Sequence, residues 1–382
     1  MYHNTEYFFK FLIALFTLTC ASSPTYSQQL SFPYKDIYGV EVVNKKVDMD
    51  FSDFTDATQY LPKNFVTDGS INYRQHLQQA LNENKKLIFP NFPILIDDIG
   101  LDIQSDSDVY FPENSLIQLK PTTKANYDIL RIQNRQNIRL FNPKIKGDRL
   151  SHIGTTGEWG MGLSILGSSR IEIFNPHITD CWGDGVYLGY QSVGNSHIVI
   201  KGGIVDNNRR NAVSVIDVNY LEISDIVLSN SNGVLPMSGL HFEPNATNED
   251  IRNVLAKNIV TYNNRKSVGT SLMRLIGENP KTVNIKIENL TDHYSNLVPF
   301  HIGGHRSKFD HAESPLTGRI IFDGLEINDP NSDFIVLVDK YIDYLPDFVF
   351  RNVNIYQNRN RNSIILGNSI KEVTAKTNIQ IE

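Results

Sequence analysis

Apolar and polar residues alternate along most of this chain in short runs of period two, the pattern of strands with one face buried. These runs cover 137–140, 170–173, 197–200, 220–223, 283–287, 319–322 and 347–350, most of them about 23 to 36 residues apart. Whole motifs return at a similar interval. Phe141-Asn142-Pro143-Lys144-Ile145 reappears 33 positions later as Phe174-Asn175-Pro176-His177-Ile178. Ile204-Val205-Asp206-Asn207-Asn208-Arg209 likewise returns as Ile259-Val260-Thr261-Tyr262-Asn263-Asn264-Arg265. A unit of that length, with two or three strands separated by Asn, Gly and Asp turns, predicts one rung of a parallel β-solenoid. The Leu spacing of leucine-rich repeats and the Trp-Asp pattern of propeller blades are both missing. Residues 73–82 instead place Leu77, Ala80 and Leu81 on one helical face, and Leu87-Ile88-Phe89-Pro90 follows as a strand. The helix is expected to cap the open end of the solenoid.

Composition sharpens this picture. Of 382 residues, 41 are Ile and 39 are Asn, whereas Met contributes 5 and Trp 2, so strands and tight turns are favoured over helices. Asn tolerates left-handed turns and can ladder between stacked rungs. A formal charge of −6 argues against general nucleic-acid binding. At the N-terminus Lys10 precedes the apolar run 11–18, and small residues continue to Ser27. That is the layout of a secretory signal cleaved after Thr25-Tyr26-Ser27, with an apolar run too short to span a bilayer. Thr17-Leu18-Thr19-Cys20 is the alternative, a lipoprotein site, although Thr rather than Gly or Ala precedes Cys20. The chain is expected to be exported, periplasmic or secreted or held through Cys20. The expected division is a signal over 1–27, an N-terminal segment with its capping helix over 28–84, and a β-helix catalytic domain over 85–382. Cys181 is then the one remaining thiol, which excludes a disulfide framework and suits buried packing.

Asp68-Gly69-Ser70, the capping helix, Lys85-Lys86-Leu87-Ile88-Phe89-Pro90 and the rungs that follow resemble the right-handed parallel β-helix enzymes of the pectate-lyase-like superfamily. The resemblance covers about residues 60 to 380. It implies an all-β, single-stranded right-handed parallel β-helix. It leaves the reaction open, because the superfamily includes polysaccharide lyases, polygalacturonase-type hydrolases, uronan epimerases and phage tailspikes. The exported β-helix with its Gln28-Gln29 start also resembles marine flavobacterial proteins that degrade algal polysaccharides, among them enzymes acting on ulvan oligosaccharides. That resemblance implies either a lyase or an oligosaccharide dehydratase.

Such folds bind glycans along one exposed sheet, whose expected strands are 162–166, 185–189, 212–216, 239–243, 272–276 and 299–303. Alternation then points Leu163, Ile165, Val186, Leu188, Val213, Val215, Leu240, Phe242, Met273, Leu275, Phe300 and Ile302 inward. Ser164, Tyr187, Ser214, His241, Arg274 and His301 form the outward column, with Glu243 on the same face as His241. Loops 147–149, 157–160, 182–185 and 208–211 lead onto this face, together with His152.

Elimination on a uronic acid needs a cation at the carboxylate, a base for the C5 proton and an acid at the group leaving C4. His241, Tyr187 and Arg210 supply that set, His241 as base and Tyr187 at O4 or the reverse, with Glu243 orienting His241 or an arginine. Arg209, Arg274, His301 and Asp184 are the expected substrate-binding residues. Arg209-Arg210 could instead be a solvated turn and Asp184 an Asx turn before Gly185. The alternative reaction is hydrolysis by Asp184 and Glu243, two rungs or about 10 Å apart. A non-catalytic tailspike-like glycan binder is the second alternative. Phe242-Glu243-Pro244-Asn245 resembles the Phe-Asp-Pro-His stretch of alginate epimerases but departs at its last residue. No cofactor is expected, and calcium stays open because no dense carboxylate cluster marks a site. The expected partner is an anionic poly- or oligosaccharide. The stretch 303–316, with His305, Arg306, Lys308 and His311, is a candidate wall closing one end of the groove.

Overall fold

A computed structural model describes residues 40–303, 314–332, 334–338, 344–357, 360–361, 370–372 and 378–382. The expected signal, Cys20, and His305, Arg306, Lys308 and His311 lie outside the described residues. Val42–Glu382 form one compact unit. The chain winds through it as a parallel right-handed β-helix of about nine turns.

One wall is a ten-stranded sheet, parallel throughout. Its strands are β1 (Leu101–Asp102), β2 (Asn126–Gln133), β3 (Trp159–Leu166), β4 (Val186–Gly189) and β5 (Val213–Val215), then β6 (Ser238–Phe242), β7 (Lys266–Thr270), β8 (Val298–Ile302), β9 (Val336–Val338) and β10 (Ile370–Glu372). Each pairs with the next in chain order. Helix α1 (Arg74–Glu83) buries Leu77, Ala80 and Leu81 at the N-terminal end, the three residues that its periodicity singles out. Capping this end matters because an open β-edge presents unpaired backbone groups to any passing strand.

The repeat in the sequence is a repeat in space. His177–Thr179 lies in register between Lys144–Lys146 and Ile204–Asp206. Phe141 and Phe174, 33 positions apart in the repeated motif, stack with centroids 5.4 Å apart. Asn142 and Asn175 both adopt left-handed φ, at 56° and 52°, and Asn175 Nδ2 donates to Asn142 Oδ1 at 2.8 Å. The same device recurs from Asn263 to Asn230 at 2.7 Å, and the amide pairing alone from Asn331 to Asn296 at 3.0 Å. Asn abundance therefore has two causes: it turns the chain where other L-residues are strained, and its side-chain amide pairs with the rung below.

Burial also creates a stability device. Asp206 is completely buried; Oδ1 accepts from Ser229 Oγ at 2.6 Å and Asn230 Nδ2 at 2.8 Å, and Oδ2 has no partner. Burial pushes this carboxyl up to about 7, against the pull of Ser229 and Asn230. Its folded value lies above the unfolded one, so the folded state holds the proton more tightly. The contribution is complete below pH of about 4 and declines until about pH 7, where the buried group ionises. Asp206→Asn cannot ionise, so its stability relative to wild type is expected to rise by on the order of 3 kcal/mol between pH 4.5 and 8. Urea midpoints at the two pH values measure this, and an equal difference at both would refute it.

Candidate functional site

The outward column of the ten-stranded sheet is real at most rungs. Register places Arg131, Ser164, Tyr187, Ser214, His241, Gly269 and His301 side by side on β2 to β8. The inward residues Leu163, Ile165, Val186, Leu188, Val213, Val215, Leu240, Phe242, Phe300 and Ile302 are fully buried, as their alternation requires.

The fifth expected strand is a correction. Residues Leu272–Leu275 form a 3-10 helix, and β7 occupies the rung instead, so Gly269 replaces Arg274 in the column. Met273 and Leu275 are each 1% exposed, so a buried pair two residues apart imitated a strand, whereas β7 carries a single large apolar residue, Val268. Gly269 serves its neighbour. A Cβ there would lie 2.4 Å from His241 Nδ1, so glycine leaves the imidazole its space. His241 is 1% exposed, with Nδ1 2.9 Å from Ser238 Oγ and Nε2 3.3 Å from Ser271 Oγ. Burial, reinforced by Lys266, Arg210 and His301, holds its pKa well below the usual histidine range. His241 is thus a neutral imidazole beneath the sheet surface.

Arg210 is the centre of charge. It crosses the face so that Nη1 donates to Asp184 at 2.9 Å and Nη2 to Glu243 at 2.6 Å, while Nε faces Glu158 at 3.8 Å. Burial works against this cation, but Asp184 and Glu243 raise its pKa further than burial lowers it. Asp184 is completely buried and also accepts from the Asn211 amide at 2.9 Å and Ser214 Oγ at 2.7 Å. Burial pushes its carboxyl up, while Arg210, Ser214 and the Asn211 amide pull the other way. The side chains of Glu243 and Glu158 are 28% and 32% exposed, so these two carboxylates, unlike Asp184, meet the solvent of the cleft. Glycine makes the approach of the loops possible: a Cβ on Gly183 would lie 2.5 Å from the Glu158 carbonyl oxygen.

Tyr187 is half-buried, its ring packed over Gly189, where a Cβ would come within 2.4 Å. Burial together with Asp184 and Glu249 pushes its phenol up to about 12, opposed by Arg210 and by a hydrogen bond with the Asn245 side chain. Glu249 fixes that loop by accepting from the Asn245 and Ala246 amides. Asn245 Oδ1 also faces Arg274 Nη1 at 3.5 Å, so Arg274 is off the column yet at the same mouth. It is exposed and forms no ion pair among the described residues. Arg209 turns away from Arg210 and lies 3.7 Å over Trp182. His301 sits two rungs beyond His241 and is half-buried.

The arrangement therefore assembles Tyr187, Arg210, Glu243, Asp184 and Arg274, with His241 underneath. Glu158 and Asn245 join them, and neither stood out as a site residue; the flanking glycines of Glu158 and the strand-ending Glu243-Pro244-Asn245 were the available signals. Among the described residues, no group of three or more His, Cys, Asp and Glu side chains has the geometry to hold a metal ion.

The family model for a right handed beta helix region matches residues 95–251. Two curated Bacillus subtilis proteins are similar over part of their length. The uncharacterized protein YclG is 22% identical over 212 residues, 48% of this chain and 36% of its own. The prophage-derived uncharacterized protein YorA is 24% identical over 162 residues, 38% of this chain and 28% of its own. The matches thus span about a third of these relatives. Among solved structures, an iota-carrageenase complexed to iota-carrageenan fragments superposes with a TM-score of 0.55 at 10% identity, covering 88% of this chain and 96% of that one. At that identity the likeness is one of fold: the chain shares its parallel β-helix with a polysaccharide-degrading enzyme.

Proposed function

We propose that the chain is an exported carbohydrate-active lyase that acts on a uronic acid by β-elimination. Its substrate is an anionic poly- or oligosaccharide of the ulvan type. The carrying observation is the convergence of Asn245 and Arg274, from the loops, on Tyr187 of the sheet and the Arg210–Glu243 pair beside it. Arg274 and Asn245 receive the substrate carboxylate, because Arg210 is already occupied by acidic partners. This changes the role expected of Arg210, which instead holds Glu243 in place.

Glu243 takes the C5 proton, the electron pair forms the C4=C5 double bond, and the C4–O4 bond breaks. Tyr187, a phenol pushed up to about 12 and so held protonated well beyond neutral pH, gives its proton to O4. The departing group is a sugar in a lyase and water in a dehydratase. His241, at 1% exposure, is too buried to touch substrate and becomes a positioning residue beneath the cleft. Complete burial of Asp184 speaks against the Asp184–Glu243 pair as hydrolytic machinery.

A second reading has one observation of its own. Glu158 and Glu243 are both partly exposed and both face Arg210, which suits the separation of roughly 5 to 10 Å used by hydrolytic carboxylate pairs. One experiment decides. The protein is incubated with uronic-acid polysaccharides and their oligosaccharides, and products are followed by ultraviolet absorbance and mass. Elimination yields an unsaturated product, with loss of one water from an oligosaccharide in the dehydratase case. Addition of water without a double bond would overturn elimination and favour hydrolysis instead.

A further inference from the structure

Beside the reacting centre stands a stack of side chains with no part in the proton transfers. Asp148, 1% exposed, accepts from the Tyr127 hydroxyl at 2.5 Å and the Thr122 amide at 3.0 Å, and pairs with His152 Nδ1 at 2.7 Å. The His152 ring lies nearly parallel to Trp182, centroids 3.9 Å apart. The Arg209 guanidinium covers the same indole at 3.7 Å, so the indole is sandwiched between imidazole and guanidinium. Arg209 Nη1 donates to the carbonyls of Gly157 at 2.7 Å and Trp182 at 3.3 Å. Among the described residues, Nε and Nη2 have no partner and no carboxylate lies within ion-pair distance. Gly233 packs against its stem, where a Cβ would come within 2.8 Å of Arg209 Cγ.

A guanidinium already held in place, with one edge open, is suited to bidentate recognition of a planar or tetrahedral oxyanion. Its rigidity matters because ordering a free arginine would cost affinity on binding. Arg209 and Arg210 are consecutive, yet their side chains diverge, one to Gly157 and the other to Asp184 and Glu243. Whatever Arg209 binds is therefore a neighbour of the group that reacts.

We propose that Arg209 is a specificity subsite for an oxyanion substituent, a sulfate ester or a carboxylate, on the sugar adjacent to the reacting one. Tyr127, Asp148 and His152 are its positioning residues, acting through the Trp182 platform. This deepens the reading of the cleft as a glycan site and rests on it.

The test uses three uronic-acid oligosaccharides whose neighbouring sugar carries a sulfate, a carboxylate or only hydroxyls, with calorimetric affinity and turnover measured for each. Wild type is expected to bind at least one charged form about tenfold or more tighter than the neutral one, and the preferred charge identifies the source. Arg209→Gln should erase that preference, raising KM for the charged glycan far more than for the neutral one, with partial rescue in Arg209→Lys. His152→Gln, at unchanged thermal midpoint, should move the same ratio in the same direction. Equal affinity for the three glycans, equal losses on all three, or no binding of any, overturns the subsite. Turnover by addition of water, with the charge preference intact, overturns the elimination reading and leaves the subsite standing.

Discussion

Replacing Tyr187 by Phe is expected to lower turnover by about 10² to 10⁴ while the glycan still binds, the size of effect that loss of a positioned proton donor produces. The change removes one oxygen and keeps the ring that packs over Gly189, so the fold is expected to survive. The proton involved is firmly held: burial, Asp184 and Glu249 push the phenol up to about 12. Such a group donates to an oxygen that is becoming an alkoxide far better than it abstracts a proton from carbon. Turnover and calorimetric affinity measured together separate the chemical role from a binding role. Wild-type turnover in Tyr187→Phe would remove the phenol from the mechanism, whereas lost affinity at unchanged kcat would make Tyr187 a binding residue.

Arg210→Met should have the second large effect, this time on stability as well as rate. The guanidinium is 11% exposed and touches Asp184, which is completely buried. Removing one partner of a buried pair leaves the other charge without compensation, a loss of about 3 to 5 kcal/mol. Asp184, Glu243 and Glu158 would then face one another across the space the cation had filled. The double variant Arg210→Met with Asp184→Asn removes the sealed charge, so it should recover most of the urea stability and none of the activity, because Glu243 has still lost its anchor. Full activity in the double variant would show that Arg210 serves the fold alone.

Much of the frame was legible because a solenoid writes its geometry into the chain as a repeat. Asn142 and Asn175 occupy equivalent turns in space because they occupy equivalent places in the repeated motif, and the left-handed φ that Asn accepts is a local property. Ser164, Tyr187, Ser214, His241 and His301 were predicted to stack for the same reason: side chains alternate along each strand, and parallel pairing carries that alternation from rung to rung. The capping face of α1 followed from the helical period alone. Local pattern failed where two local structures share it. Met273 and Leu275 are buried in a 3-10 helix yet spaced as on a strand, and β7, weak in apolar residues, is a strand because β6 and β8 flank it.

Charges were decided by the tertiary structure. From residue types, Arg210 was a free cation, Asp184 an accessible carboxylate and His241 an accessible base. Folding placed the first between three carboxylates, sealed the second beneath Ser214 and the third beneath Gly269. The sequence by itself determined the repeat, the turns and which residues share a face, since each depends on the conformational preferences and alternation of neighbouring residues. Which of those residues meet solvent, and which cation belongs to which anion, depends on side chains 26 to 52 positions apart in sequence, as Arg210 shows with Asp184 and Glu243 at 26 and 33 positions and with Glu158 at 52. Electrostatic energy is set by distance and burial, and neither exists until the rungs have stacked.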